Sequence, residues 1–131
     1  MDRRNDNDIL YGGFGEDCLN GGTGNDAYSF HLNDGRDTIL DYDSTYGNID
    51  ILQLGTGIET TNTYLQRDKT NLIIGVQDTQ EQIIISNYFY NSYYQIEKIA
   101  FQDGYFTNED ISILNLQDES RVYIKEALLN K

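Results

Sequence analysis

Residues Gly12–Ser29 hold two consecutive copies of one nine-residue pattern, G-G-F-G-E-D-C-L-N and then G-G-T-G-N-D-A-Y-S. Each copy reads Gly-Gly-x-Gly-x-Asp, any residue, a large apolar residue, any residue. A unit this short cannot bury an apolar face alone. It must stack on its neighbours, which points to a repetitive, quasi-one-dimensional fold. Glycines at the first, second and fourth positions admit backbone angles that a Cβ disfavours, so the loop can coil with its carbonyls turned to one side. The last three residues form a short strand whose middle residue points inward.

Degraded copies flank this pair. Arg3–Tyr11 places Asp8 sixth and Leu10 eighth, with Arg3 and Arg4 where glycines would stand. After a two-residue insertion, Leu32–Leu40 keeps Gly35 and Asp37 and has Ile39 at the apolar position. A looser copy begins at Thr45, with Asp50 sixth and Leu52 eighth. Period-two alternation predicts one apolar stack of Leu10, Leu19, Tyr28 and Ile39, with Phe30 facing the same way and Cys18 outward.

The charge points to cations. Nine basic against 22 acidic residues give a formal net charge of −13, which disfavours phosphate backbones and makes multivalent cations the natural counter-charge. Gly, Asn and Asp crowd the first third, a composition of turns and oxygen ligands. Calcium takes about six to eight oxygens, many of them carbonyls, and the sixth-position Asp adds a carboxylate. One such motif is often a plain surface turn; a strict tandem with degraded neighbours points to a cation site. No Lys-Ser or Lys-Thr follows to make a phosphate loop, and the EF-hand spacing is absent. Cys18 is the lone cysteine, so no internal disulfide forms, and its sulfur suits calcium poorly. His31 is the only histidine, which excludes a multi-imidazole zinc site within this chain. No Gly-x-Ser-x-Gly elbow occurs, and loop carboxylates spaced for a cation explain the acidic pairs better than acid–base chemistry. A non-catalytic chain is expected.

These repeats resemble those of the RTX family, the calcium-binding β-roll proteins exported by Gram-negative bacteria. The resemblance implies an all-β fold: a short parallel β-roll over residues 3–54, a β-rich cap over 55–106 and a small helical tail over 107–131. It also implies calcium ions between loops stacked two repeats apart. One site would use Gly13, Gly15 and Asp17 with Leu32, Asp34 and Asp37. A second would use Gly22, Gly24 and Asp26 with Thr45, Gly47 and Asp50. A third would use Arg4, Asp6 and Asp8 with Gly21, Thr23 and Asp26, so that Asp26 bridges two ions. Asp41 and Asp43 are alternative carboxylates to Asp50.

Beyond the repeats, Tyr64–Arg67 and Asn71–Val76 read as strands around a turn at Asp68–Thr70, with further strands at Gln82–Ile85 and Gln95–Phe101 and a turn at Asp103-Gly104. The phrases around Ile83–Tyr88, Gln95–Phe101 and Asp103-Gly104 resemble the segment that follows the repeats in RTX proteins and closes the roll. Tyr88–Tyr94 is densely aromatic, which fits packing in that cap. Thr107–Asp110 is a capping box ahead of Ile111, and Asp118–Asn130 carries a second helical pattern. A tail of this kind resembles the uncleaved C-terminal export signal of the family. No apolar run is long enough to span a membrane, and Met1 is followed by charged and polar residues rather than a signal-peptide core. The expectation is therefore a secreted, extracellular calcium-binding module, cut from a larger toxin or exoprotein and passed through a type I secretion apparatus. A surface-adhesion or glycan-binding module using Tyr88–Tyr94 is the alternative.

Overall fold

The short strands expected at the end of each nine-residue copy form, and each turns its apolar residue inward. The computed structural model describes residues 9–44 and 47–124. In it, the repeats supply β1 (Ile9–Tyr11), β2 (Cys18–Leu19), β3 (Ala27–Phe30), β4 (Arg36–Ile39) and β5 (Ile51–Leu54). Leu10, Leu19, Tyr28, Ile39 and Leu52 are buried, as is Phe30, while Cys18 is exposed. Then follow β6 (Thr63–Asp68), β7 (Asn71–Val76), β8 (Gln82–Ile85), β9 (Lys98–Phe101), β10 (Gly104–Thr107), α1 (Asn108–Leu114) and β11 (Arg121–Tyr123). The chain is thus mostly β, with one short α-helix among the described residues.

Successive repeat strands alternate between two sheets. One runs β1-β3-β5-β9-β10 and the other β11-β6-β7-β8-β4-β2. Within the first, β1, β3, β5 and β9 pair in parallel, aligning Leu10, Tyr28, Leu52 and Ile99. Within the second, β2, β4 and β8 pair in parallel, aligning Leu19, Ile39 and Ile85. The single apolar stack expected from alternation is therefore two columns, because consecutive copies belong to opposite sheets. Both columns contribute to one core cluster. Each fully buried side chain of this size stabilises the fold by about 1.5–3 kcal/mol.

The strands after the repeats extend the same sheets. β6 and β7 form the expected antiparallel hairpin, with Lys69 at φ 57 in the turn. β8 adds in parallel to β4 and β9 in parallel to β5. Several boundaries differ from expectation: β6 extends one residue beyond Tyr64–Arg67 at each end, taking in Asp68. The Gln95–Phe101 strand begins only at Lys98, although Ile96 is buried ahead of it. The turn falls at Gln102 and Asp103, and Gly104 opens β10, which pairs antiparallel with β9. The capping box forms as read. Thr107 Oγ1 accepts from the Asp110 N–H at 3.4 Å, and the Asp110 carboxylate accepts from the Thr107 N–H at 2.9 Å.

The second helical pattern, Asp118–Asn130, is corrected over Arg121–Tyr123, which is a strand paired antiparallel with β6. An open sheet edge offers unpaired backbone groups, and edge pairing outweighs a weak 3.6-residue periodicity. The Arg121 guanidinium reinforces the pairing, lying 3.8 Å from the Tyr64 ring centroid and donating to Gln66. Residues 125–131 lie outside the described ones.

Candidate metal centre

Because strands alternate between sheets, their connecting loops fall on two opposite edges. Gly12–Asp17 and 31–35 share one edge; 20–26, the described residues between β4 and β5 and the β8–β9 segment share the other. Gly13, Gly15, Gly22 and Gly24 all have φ between 72° and 100°, the left-handed region that glycine enters at no steric cost. The stacking is close: a Cβ on Gly35 would lie 2.8 Å from the Gly15 carbonyl oxygen.

An acid stands at the start of β2, β3, β4, β5 and β9, and parallel pairing stacks these acids. The Asp17 N–H donates to Asp37 Oδ1 at 3.0 Å, and the Asp26 N–H donates to Asp50 Oδ1 at 2.8 Å. The Asp50 N–H continues the series by donating to Glu97 Oε1 at 2.7 Å. Glu97 was not among the residues read from the sequence. It precedes β9 as Asp50 precedes β5, but it is a glutamate without a glycine loop before it. The one signal that could have found it is an acid placed directly ahead of an alternating apolar strand.

On the second edge, one carboxylate oxygen from each of Asp26, Asp41 and Asp50 lies within 4.8 Å of the others, and all three residues are buried. Asp41 Oδ2 accepts from the Tyr28 hydroxyl at 2.6 Å, while its Oδ1 has no hydrogen-bond partner. Asp43 accepts from the Gly24 N–H at 2.9 Å, and Asp50 Oδ2 from the Asn48 side-chain amide at 2.9 Å. On the first edge, Asp17 Oδ2 and Asp37 Oδ2 are buried without partners. Among the described residues, no lysine or arginine forms an ion pair with Asp37, Asp41 or Asp50. Burial pushes Asp37 up to about 6 and Glu97 up to about 7. It also raises Asp41 and Asp50, with neighbouring carboxylates adding to the effect. Buried carboxylates so placed hold their charge at a cost unless a cation joins them.

The residues read from the sequence fall as follows. Asp17 and Asp37 meet, beside Gly13 and Gly15. Asp34 is buried next to them, with its carboxylate accepting from the His31 N–H at 2.8 Å and the Tyr11 hydroxyl at 3.2 Å. Leu32 packs against the core. Asp26 and Asp50 meet on the edge that carries Gly22, Gly24 and Gly47; Thr45 lies outside the described residues. Of the third set, Gly21, Thr23 and Asp26 are described, whereas Arg4, Asp6 and Asp8 are not. Asp41 lies in one buried group with Asp26 and Asp50, and Asp43 is buried and accepts from the Gly24 N–H.

The tyrosine-rich stretch divides. Tyr88 is buried in the core, but Tyr90 is 67% exposed and Tyr93 46%. Tyr93 and Tyr94 gather with half-exposed Tyr42, at ring-centroid distances of 5.9 and 5.2 Å.

The side-chain donors are all oxygen and largely carboxylate, a set that suits a hard cation of calcium's kind rather than a thiolate- or imidazole-seeking metal. The orphaned buried oxygens of Asp17, Asp37 and Asp41 fit such an ion. No curated protein matches this chain. Residues 71–109 match the family model described as haemolysin-type calcium binding protein related domain, a stretch that runs from β7 into α1 and includes Glu97. That match supports an RTX-like relationship and a calcium-binding function.

Proposed function

We propose that this chain is the non-catalytic, calcium-binding C-terminal module of a secreted RTX toxin or exoprotein. It is built as a short parallel β-roll with a β-rich cap, and calcium completes its folding outside the cell. The observation that carries this reading is the stacked series of buried acids: Asp17 on Asp37, and Asp26 on Asp50 on Glu97. The alternation of parallel strands between two sheets supports the roll. In calcium-poor cytosol the carboxylates repel one another and the loops stay loose, so the chain can thread a type I secretion apparatus. At extracellular calcium, ion binding becomes folding free energy. An affinity of about 10⁻⁴ to 10⁻³ M suits that role. The test is calcium titration of chelator-treated protein, followed by calorimetry and far-UV circular dichroism. Saturable heat with a gain of strand signal is expected. Identical spectra in excess chelator and in millimolar calcium, with no binding heat, would sink the reading.

A second reading is favoured by one observation, the exposure of Tyr42, Tyr90 and Tyr93 on neighbouring loops. Exposed phenol rings stack on sugar faces, so this surface suits glycan adhesion. A glycan array with Tyr93→Ala as control tests it; no wild-type signal on the array removes it.

A further inference from the structure

We propose that Asp41 is a third carboxylate ligand of the cation held between Asp26 and Asp50, and that Tyr28 is the residue that positions it; the proposal rests on the calcium reading above. Asp41 belongs to no nine-residue copy. It lies in the insertion after β4, where the repeat pattern asks for no acid. The fold nevertheless brings it wholly out of solvent, with an oxygen within 4.8 Å of oxygens from Asp26 and Asp50. A buried carboxylate needs partners for both oxygens. Oδ2 has one in the Tyr28 hydroxyl, and Oδ1 has none. The oxygen without a partner belongs to a carboxylate that faces two others, and a cation shared by the three satisfies it.

Tyr28 is the second departure from the pattern. The same inward position holds Leu10, Leu19, Ile39 and Leu52 in the other copies, none of which can donate a hydrogen bond. The Tyr28 ring is fully buried, and its oxygen is held at both ends. It accepts from the Gly21 N–H at 2.8 Å and donates to Asp41 at 2.6 Å. A hydroxyl that accepts one bond and donates another has its rotation fixed. These two departures from the repeat therefore touch each other, at a place where three acids converge.

Three carboxylates carry a formal charge of −3, one more than a divalent ion neutralises. The site then favours a trivalent ion of calcium's size over calcium itself. Each carboxylate removed weakens Tb³⁺ more than Ca²⁺, with logarithmic losses in the ratio of the ion charges, about 3 to 2.

The experiment titrates the full chain with CaCl₂ and TbCl₃, by calorimetry and by terbium emission excited through tyrosine. Asp41→Asn should lower calcium affinity about tenfold or more and terbium affinity further. Tyr28→Phe should lower calcium affinity roughly 10- to 100-fold, as the loss of a ligand-orienting partner does, and should reduce the sensitised emission. Its melting temperature should fall more in calcium than in chelator. Asp41→Asn with wild-type affinity for both ions, while Asp26→Asn loses affinity, overturns the role of Asp41 and leaves the calcium reading standing. A wild-type chain that binds neither ion overturns both. Should Asp41→Asn fail to fold, Tyr28→Phe decides: equal destabilisation with and without calcium makes Tyr28 a packing residue only and overturns the proposal.

Discussion

The backbone N–H of Asp26 donates to the carboxylate of Asp50 at 2.8 Å, across a sequence separation of 24 residues. That contact joins the best-formed repeat to one of the poorest. It sits one residue ahead of the Ala27–Ile51 register pair of β3 and β5, so the loop geometry and the sheet register specify each other.

Asp26 is the acid on which the second edge converges, and the loss of its carboxylate should be felt most. Asp26→Ala is expected to raise the calcium concentration at the folding midpoint at least about tenfold, equivalent to about 1.4 kcal/mol. Calcium titration followed by circular dichroism measures this. An unchanged midpoint would show that the ion binds elsewhere.

Protons and calcium should act in opposite directions on stability. The folded-state values of Asp37 and Glu97 are raised by burial to about 6 and about 7, above the roughly 4 of an unfolded carboxylate. The stability they contribute is therefore fully present below about pH 4 and is lost as pH rises through about 6 to 7. In chelator, the melting temperature should fall between pH 5 and pH 8. In saturating calcium the carboxylates are held ionised by the metal, and the trend should reverse. Thermal melts at both pH values, with and without calcium, separate the two regimes.

Gly21 and Gly13 should fail for different reasons. A Cβ on Gly21 would lie 2.4 Å from Asp26 Oδ2 and 2.7 Å from the Tyr28 hydroxyl, so Gly21→Ala should weaken calcium binding directly. Gly13 has open space around a Cβ but a φ of 78°. Gly13→Ala should therefore cost about 1–2 kcal/mol of backbone strain, and Gly13→Asn less, since Asn tolerates this region. Calcium affinities and urea unfolding of the three variants check the contrast.

The columns of apolar residues bind the repeats and the strands after them into one core. Ile99, in β9, aligns with Leu52 in the last repeat, and both are fully buried. Ile99→Ala should cost about 2–5 kcal/mol and should lower stability in calcium as well as in chelator. If only the strands after residue 55 unfold, the two parts are energetically separate.

Much of this was legible in the residue order because the repeat is local. The inward Leu10, Leu19, Tyr28 and Ile39 follow from alternation, and Asp17, Asp26, Asp37 and Asp50 follow from their sixth positions. The Thr107–Asp110 capping box was legible for the same reason. Helical periodicity over Asp118–Asn130 misled at Arg121–Tyr123, since nothing local announces that β6 has an open edge to fill. Glu97 was missed as a member of the acidic series because it sits in no glycine loop, and Asp41 was read from the sequence only as an alternative to Asp50.

The sequence by itself determined the repeat: its period, its inward residues, its oxygen-rich loops and the acid at the sixth position of its copies. These depend on backbone freedom at glycine and on alternation along a strand, which act over a few residues. Only the tertiary structure decided which acids meet. Parallel pairing across 20 to 47 residues stacks Asp17 on Asp37, Asp26 on Asp50 and Asp50 on Glu97. It also carries Asp41 from an insertion to the Tyr28 hydroxyl. Such meetings depend on sheet register and on the length of the intervening segments, which no local pattern encodes.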